Sequence, residues 1–272
     1  SPTDYKNVLL EEEKEEKETE TFMKTTFEVC AGSLADCLAA QNGGADRIEL
    51  NSALALGGLS PSLRVLKEAK AQCSIPIICM VRPREAGFHY SPEEFSLMLL
   101  EARDFLDSGA DGIAFGFLRA DGTIDPDQTL QMVTLIHTYP DKEAVFHRAI
   151  DVVPDYSQAI QTLIDLNVDR ILTSGTQSSA PKGALVFKEI QQRYGDQIQI
   201  LAGAGLNPEN VGDFLRQSGV HQVHSSAKSW KRDPTTQRGE VSYSAYPGEH
   251  AMDYPCASVE VIRVFRQACD TI

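Results

Sequence analysis

The chain has 272 residues, 42% of them hydrophobic and 24% charged. A chain of this size buries roughly three quarters of the surface it exposes when unfolded, and its 19 Gly and 13 Pro exclude collagen-like and wholly disordered classes. With 39 acidic against 25 basic residues the net charge is −14, and no Lys/Arg cluster stands against that field. No nucleic-acid or membrane partner is therefore expected.

No apolar run approaches the roughly 20 residues of a membrane helix. The acidic start, Ser1–Glu20, lacks the apolar segment of a secretory signal. Six cysteines (Cys30, Cys37, Cys73, Cys79, Cys256, Cys269) show no CxxC pair, so neither a disulfide framework nor a structural zinc site is expected. Reduced thiols in a cytoplasmic compartment are the default.

Residues 1–24 read as an acidic, solvated tail around the run Glu11–Glu18. The folded domain is expected over 25–272. From Thr25 onward, short apolar strands alternate with amphipathic helices. Strands are expected at Thr26–Cys30, Arg47–Leu50, Pro76–Val81, Gly112–Phe115, Glu143–Phe146, Arg170–Leu172, Ile198–Ala202 and Gln222–His224. Helices are expected at Leu34–Asn42, Ser62–Ala71, Glu93–Ser108, Pro126–His137, Tyr156–Leu166, Gly183–Arg193, Pro208–Ser218 and Ser258–Cys269. Ser91-Pro92-Glu93-Glu94 carries a helix start signal, a capping serine before a first-turn proline. The stretch 231–256, rich in Gly and Pro, is long for a loop and could cover a site or reach a second subunit.

Each strand ends on a polar residue or a glycine, and these landmarks recur about every 28 residues from Glu28 to His224. Eight such units match the roughly 250 residues of a TIM-like (β/α)8 barrel, whose sites gather at the carboxyl ends of the strands. An open doubly wound sheet would concentrate its signal in a Gly-rich first turn, and Cys30-Ala31-Gly32-Ser33 is not one. The fold class expected is α/β, a single barrel.

Side chains alternate along a strand, so Glu28 pairs in facing with Cys30, and Glu49 with Asn51. With Phe27 and Val29 packed outward, both carboxylates point into the upper barrel. There they can act as base and acid, share a metal, or neutralise interior arginines. Arg82 and Arg84 in Met80-Val81-Arg82-Pro83-Arg84 suit a carboxylate or phosphate, or Arg82 pairs with Glu28 or Glu49. His147, Arg148 and Asp151 follow the fifth strand, where an imidazole can move protons and a nearby acid can fix its tautomer. These six, Glu28, Glu49, Arg82, His147, Arg148 and Asp151, form the candidate catalytic set. Small residues at the last three strand ends (Ser174, Gly175, Gly203, Gly205, His224, Ser225, Ser226) admit an anion to backbone N–H groups, with Arg84 as a further anion contact.

Taken in order, several stretches resemble the CutC family of copper homeostasis proteins. They are Glu28-Val29-Cys30, Gly44–Leu50, Gly57–Ser62, Arg82-Pro83-Arg84, Phe146–Asp151, Leu172–Gly175, Ala202–Gly205 and Val223–Ala227. The resemblance runs from about Thr25 to Trp230. It implies a TIM-like barrel, a cytosolic location, self-association and Cu(I) binding, with Cys30 as the metal ligand. Many members carry a cysteine where this chain has Asn51, and some carry one where it has His89. The family's Gly-Gly-Asp-Phe loop is here Glu85-Ala86-Gly87-Phe88. Cu(I) prefers sulfur, which leaves Cys30 with His89, or with a cysteine from another subunit, as the expected set. Cys79 has the opposite parity and faces the helices.

Two functions are therefore expected to compete. One is a copper homeostasis protein binding Cu(I). The other is an enzyme acting on a small anionic, phosphorylated or carboxylated metabolite, which would use the arginines, the histidine and the carboxylates that a carrier of cations would not.

Overall fold

A computed structural model describes residues 23–272, and nearly all of the acidic tail expected over 1–24 lies outside the described residues. Eight parallel strands close into a barrel in sequence order, alternating with helices, with a ribbon of short strands between the eighth strand and the last helix, which makes the domain a TIM-like (β/α)8 barrel. The strands are β1 (Thr26–Ala31), β2 (Arg47–Leu50), β3 (Ile77–Met80), β4 (Gly112–Phe115), β5 (Glu143–Phe146), β6 (Arg170–Thr173), β7 (Gln199–Ala202) and β8 (Gln222–Ser225). The helices are α1 (Leu34–Gly43), α2 (Leu63–Gln72), α3 (Pro92–Asp107), α4 (Pro126–His137), α5 (Tyr156–Asp165), α6 (Ala184–Tyr194), α7 (Val211–Ser218) and α8 (Val259–Asp270).

Local chemistry sets the helix starts. Ser91 accepts from the Glu94 amide while the Glu94 carboxylate accepts from the Ser91 amide, a closed capping box ahead of Pro92. The side chains of Ser33, Ser62, Asp125, Asp155 and Ser258 accept from first-turn amides and cap five other helices. Helix α7 begins three residues later than its sequence suggests. The Asn207 Oδ1 accepts from the amides of Glu209 and Asn210, and that local turn takes the donors a helix would have used.

A motif at the helix-to-strand junction recurs on every second strand. Gly44-Ala45-Asp46, Gly109-Ala110-Asp111 and Asn167-Val168-Asp169 each place a left-handed residue after the helix, then a buried apolar residue, then an aspartate. Asp46 accepts from the Phe27 amide at 2.8 Å, Asp111 from Ile77 at 2.8 Å and Asp169 from Ala144 at 2.7 Å. Each aspartate thereby ties the start of one strand to the strand before it. Gly219-Val220-His221 repeats the backbone pattern before β8 with histidine at the third position.

Strand side chains divide by parity. Phe27, Val29, Ile48, Leu50, Cys79, Ile113, Phe115, Phe146, Ile171, Ile200 and Val223 face the helices and form the main core. Ile78, Met80, Ala114 and Val145 form a separate small cluster inside the barrel. Helix α8 closes the ring: Phe265 stacks on Phe27 at 4.1 Å, and Arg266 reaches Asp46 at 2.5 Å and the Thr25 carbonyl at 2.8 Å.

Around the barrel floor runs a hydrogen-bonded chain of long polar side chains. Arg170, fully buried, donates to Glu143 at 2.6 Å and to Gln199 at 2.9 Å. Gln222 donates to Gln199 at 2.7 Å and accepts from Arg47 at 2.8 Å, and Arg47 ends on Glu28 at 2.5 Å.

The stretch 231–256 is structured. Strands β9 (Lys228–Arg232) and β12 (Asp253–Ala257) pair antiparallel, with a small hairpin of β10 (Gln237–Arg238) and β11 (Val241–Ser242) between them. Trp230 stacks on His250 at 3.9 Å and meets Tyr246 edge-on, which stiffens the ribbon, while Tyr243 in its distal part is exposed.

The floor chain makes a testable demand. Removing a buried guanidinium strands its carboxylate and amide partners, so Arg170→Met should lower unfolding free energy by about 3 kcal/mol. Urea denaturation checks this, with Lys24→Ala at the exposed Lys24–Asp46 pair expected to leave the midpoint unchanged.

Candidate functional site

A cavity of about 760 Å³ opens at the carboxyl ends of the strands. Its wall includes Cys30, Glu49, Met80, Arg82, Phe88, His147, Arg148, Asp151, Leu172, Gly205, His224 and Ser226. The alternation that sends Phe27 and Val29 outward sends Glu28 and Cys30 inward, as the sequence pattern requires.

Strands β1, β2 and β8 build one side. Glu28 lies beneath the opening, 1% exposed, accepting from Arg47 at 2.5 Å and bonded to His224 Nδ1 at 2.8 Å. Burial alone would raise its pKa, but the Arg47 guanidinium and the His224 imidazole outweigh that and hold it well below the carboxylate range. Burial would lower the His224 pKa, yet the Glu49 charge and the hydrogen bonds to Cys30 and Glu28 lift it well above the usual imidazole value. Glu49 is pushed up by burial, with the Glu28 charge adding to the effect. Asn51 donates through Nδ2 to Glu49 at 2.9 Å and approaches the Cys30 sulfur at 3.5 Å. Burial raises the Cys30 thiol against the hydrogen bond from His224. Donor atoms of Cys30, Glu49 and His224 all lie within 4.8 Å of one another, a group able to hold a metal ion.

Strands β3 and β5 build the facing side. Arg82 is 7% exposed and its amino groups donate to the carbonyls of Leu56, Gly58 and Ala86 at 2.8–3.0 Å. It is paired with neither Glu28 nor Glu49, because Arg47 holds Glu28 and Asn51 holds Glu49. The Phe88 ring centroid is 5.4 Å from the Arg82 guanidinium and 5.1 Å from the His147 ring. His147 Nδ1 accepts from the Ala149 amide at 3.1 Å, so its tautomer is fixed by backbone rather than by Asp151, and Nε2 carries the proton. A Cβ at Gly116 would fall 2.5 Å from the His147 ring, so only glycine there leaves room for this rotamer. Burial first, and the nearby Arg82 charge second, lower the His147 pKa to about 3. His147 is thus a neutral N–H donor across the physiological range.

Asp151 faces away from His147. It accepts from Arg148 Nε and from the Ser174 amide at 2.9 Å, from the Ser174 hydroxyl at 3.0 Å and from Thr173 at 2.6 Å. These bonds fasten the β5 and β6 ends together and hold Arg148 at the rim. Arg84 lies outside the cavity wall, bound to Glu94 at 2.7 Å and the His89 carbonyl at 2.8 Å. Gly175 packs against Phe187 on the helix side, and Ser225 donates to the Leu206 carbonyl at 2.9 Å. Gly203 sits beside the His224 ring, while Gly205 and Ser226 line the opening. His224, expected among the anion contacts, lines the cavity and stands with Cys30 and Glu49 in the group able to hold a metal ion. His89 does not partner Cys30, since its Nδ1 is bonded to the Leu118 carbonyl at 3.1 Å. Sequence reasoning missed Arg47 and Met80 as interior residues, although each lies two positions before an expected site residue and shares its facing.

Residues 25–229 match the CutC family. A CutC family protein of Treponema denticola is 42% identical over 84% of this chain and 92% of its own length. The copper homeostasis protein cutC homolog of Homo sapiens is 39% identical over 75% of this chain and 73% of its own. The CutC crystal structure from Streptococcus agalactiae superimposes with a TM-score of 0.69 at 29% identity, covering 74% of this chain and 98% of that one. N-(5'-phosphoribosyl)anthranilate isomerase of Pyrococcus furiosus, at 14% identity and a TM-score of 0.54 over 91% of this chain and all of its own, shares the fold alone.

The neutral state of His147 has a consequence for stability. In the unfolded chain the imidazole takes a proton near pH 6.5, whereas in the fold it does so only at about 3. The unfolded state binds the proton first, so this contribution is complete above pH 6.5 and is lost as pH falls toward 3. Between pH 7.5 and 5 the native protein should lose about 2 kcal/mol more stability than His147→Leu, measured by urea unfolding at each pH.

Proposed function

We propose, on the premise that this chain belongs to the CutC family, that it is a cytosolic copper homeostasis protein whose cargo is Cu(I), held by Cys30 and His224 with Glu49 beside them. The observation that carries this reading is the convergence of a thiol, an imidazole and a carboxylate from three strands within 4.8 Å. Thiolate and imidazole suit copper. The carboxylate of Glu28 behind His224 supplies the support that metal-bound imidazoles usually have, fixing Nδ1; the Nε2 proton that the raised His224 pKa retains must leave before that nitrogen takes the ion. The Asn51 amide lies 3.5 Å from the Cys30 sulfur, while the hydrogen bond from His224 works against the burial that holds the thiol up. Met80 brings a thioether to the same cavity wall. A reducing compartment fits the six free thiols. Self-association, which the family resemblance implies, is part of the same proposal.

A second reading, an enzyme acting on a small anionic metabolite, is favoured by the size of the cavity. About 760 Å³ is in the range of small-molecule sites and far beyond what one ion fills.

Under the copper reading, anaerobic competition against a Cu(I) chelator should give one tightly held ion per chain. Cys30→Ser should abolish that uptake, His224→Ala should weaken it, and Asn51→Cys should strengthen it by adding a second sulfur. Stoichiometric uptake unchanged in Cys30→Ser would refute this assignment.

A further inference from the structure

The thiol, imidazole and carboxylate carried by β1, β8 and β2 also have the makings of a covalent catalyst. Cys30 and Cys256 are partly exposed, whereas the other four cysteines are buried. Cys30 lines both the cavity of about 760 Å³ and a second one of about 290 Å³, which share Gly57, Ser226 and Lys228 as well.

The neighbours of Cys30 are arranged as those of an activated nucleophile are. Donor atoms of Cys30, Glu49 and His224 lie within 4.8 Å of one another. Glu28 binds His224 Nδ1 at 2.8 Å, which fixes the ring and leaves Nε2 as its other polar atom. Glu28 is anchored in turn by Arg47 at 2.5 Å, and Asn51 Nδ2 steadies Glu49 at 2.9 Å. Nucleophile, proton carriers and orienting acid thus come from three adjacent strands, β8, β1 and β2. Such a constellation is recognised by geometry and roles, on any fold.

The make-up of the group selects the chemistry. It holds a single sulfur, so a two-thiol redox cycle has no second member there. It holds one group to take the thiol proton and another to protonate a leaving atom, as acyl transfer requires.

We propose that this cavity catalyses acyl transfer from a small ester or thioester, with Cys30 as nucleophile, Glu49 as its base and His224 as the acid. The step rests on the enzyme reading and names its covalent chemistry. Cys30 gives its proton to Glu49 as the sulfur–carbon bond forms. The bond to the leaving oxygen or sulfur breaks, and that atom takes the Nε2 proton of His224. Water then attacks the Cys30 thioester and passes a proton to His224, while the departing sulfur recovers its own from Glu49. The sum is ester or thioester plus water giving acid plus alcohol or thiol, and all three side chains return to their starting state.

The test uses the full-length, metal-free protein and p-nitrophenyl acetate, followed by nitrophenolate release and by mass spectrometry of the cysteine peptides. Acetylation of Cys30 is expected to run at least about tenfold faster than that of Cys256 in the same molecule, a comparison that needs no variant. Cys30→Ser should lose the initial release. His224→Gln should slow Cys30 acetylation about hundredfold and leave the Cys256 rate unchanged. Glu49→Gln, which can still accept from Asn51, should slow it as well. Cys30 acetylating no faster than Cys256, or at an unchanged rate in His224→Gln, would overturn the proposal. Calorimetry with glycolate and inorganic phosphate tests the enzyme reading separately. Saturable binding of either, with Cys30 unreactive, would overturn the acyl-transfer step and leave an anionic-substrate site in place.

Discussion

The constraint on which the rest of the barrel depends is the unbroken polar chain from Glu143 through Arg170, Gln199, Gln222 and Arg47 to Glu28 and His224. It contains two nearly or fully buried guanidinium groups, Arg170 and Arg47, and each is stable there only while its carboxylate stays in reach. Glu143, Arg170, Gln199, Gln222 and Arg47 are each the first residue of their strand. A slip of one residue in any of these strands would turn its polar group into the helix layer, breaking one link at the Glu143 end and two at each of the other four residues. The chain therefore fixes register around most of the barrel. It also ends in the functional cavity, where the Glu28 it holds in place orients the His224 ring.

The same physics explains why the arginines of the mouth are less available than their number suggests. Arg84 is spent on Glu94 and loop carbonyls, and Arg148 on Asp151 and Ser174. A cluster of cations would indeed repel Cu(I), but most of the positive charge here is neutralised locally. Arg82 and His147 line the β3 and β5 side of the cavity, with Arg82 Nε and His147 Nε2 buried and without a hydrogen-bond partner. The thiol, imidazole and carboxylate able to hold a metal ion stand on β1, β2 and β8. The two groups are separated by the order of the strands around the ring.

Most of the fold was legible because two periodicities carry it. Alternation within strands sent Phe27 and Val29 out and Glu28 and Cys30 in, and the spacing of strand ends matched a closed barrel rather than an open sheet. Positions along the chain were therefore readable, and partners across it were not. Arg82, Arg47 and Asn51 all lie at plausible reach of Glu28 and Glu49 on sequence grounds, and only register decides that Arg47 takes the first and Asn51 the second. His147 and Asp151 look like an imidazole and its orienting acid four residues apart. The short helical turn at Arg148–Val152 instead swings Asp151 to the β6 end and gives the imidazole a backbone amide. The junction motif around Asp46, Asp111 and Asp169 was present in the sequence as an internal repeat, and it marks the barrel as built from paired strands.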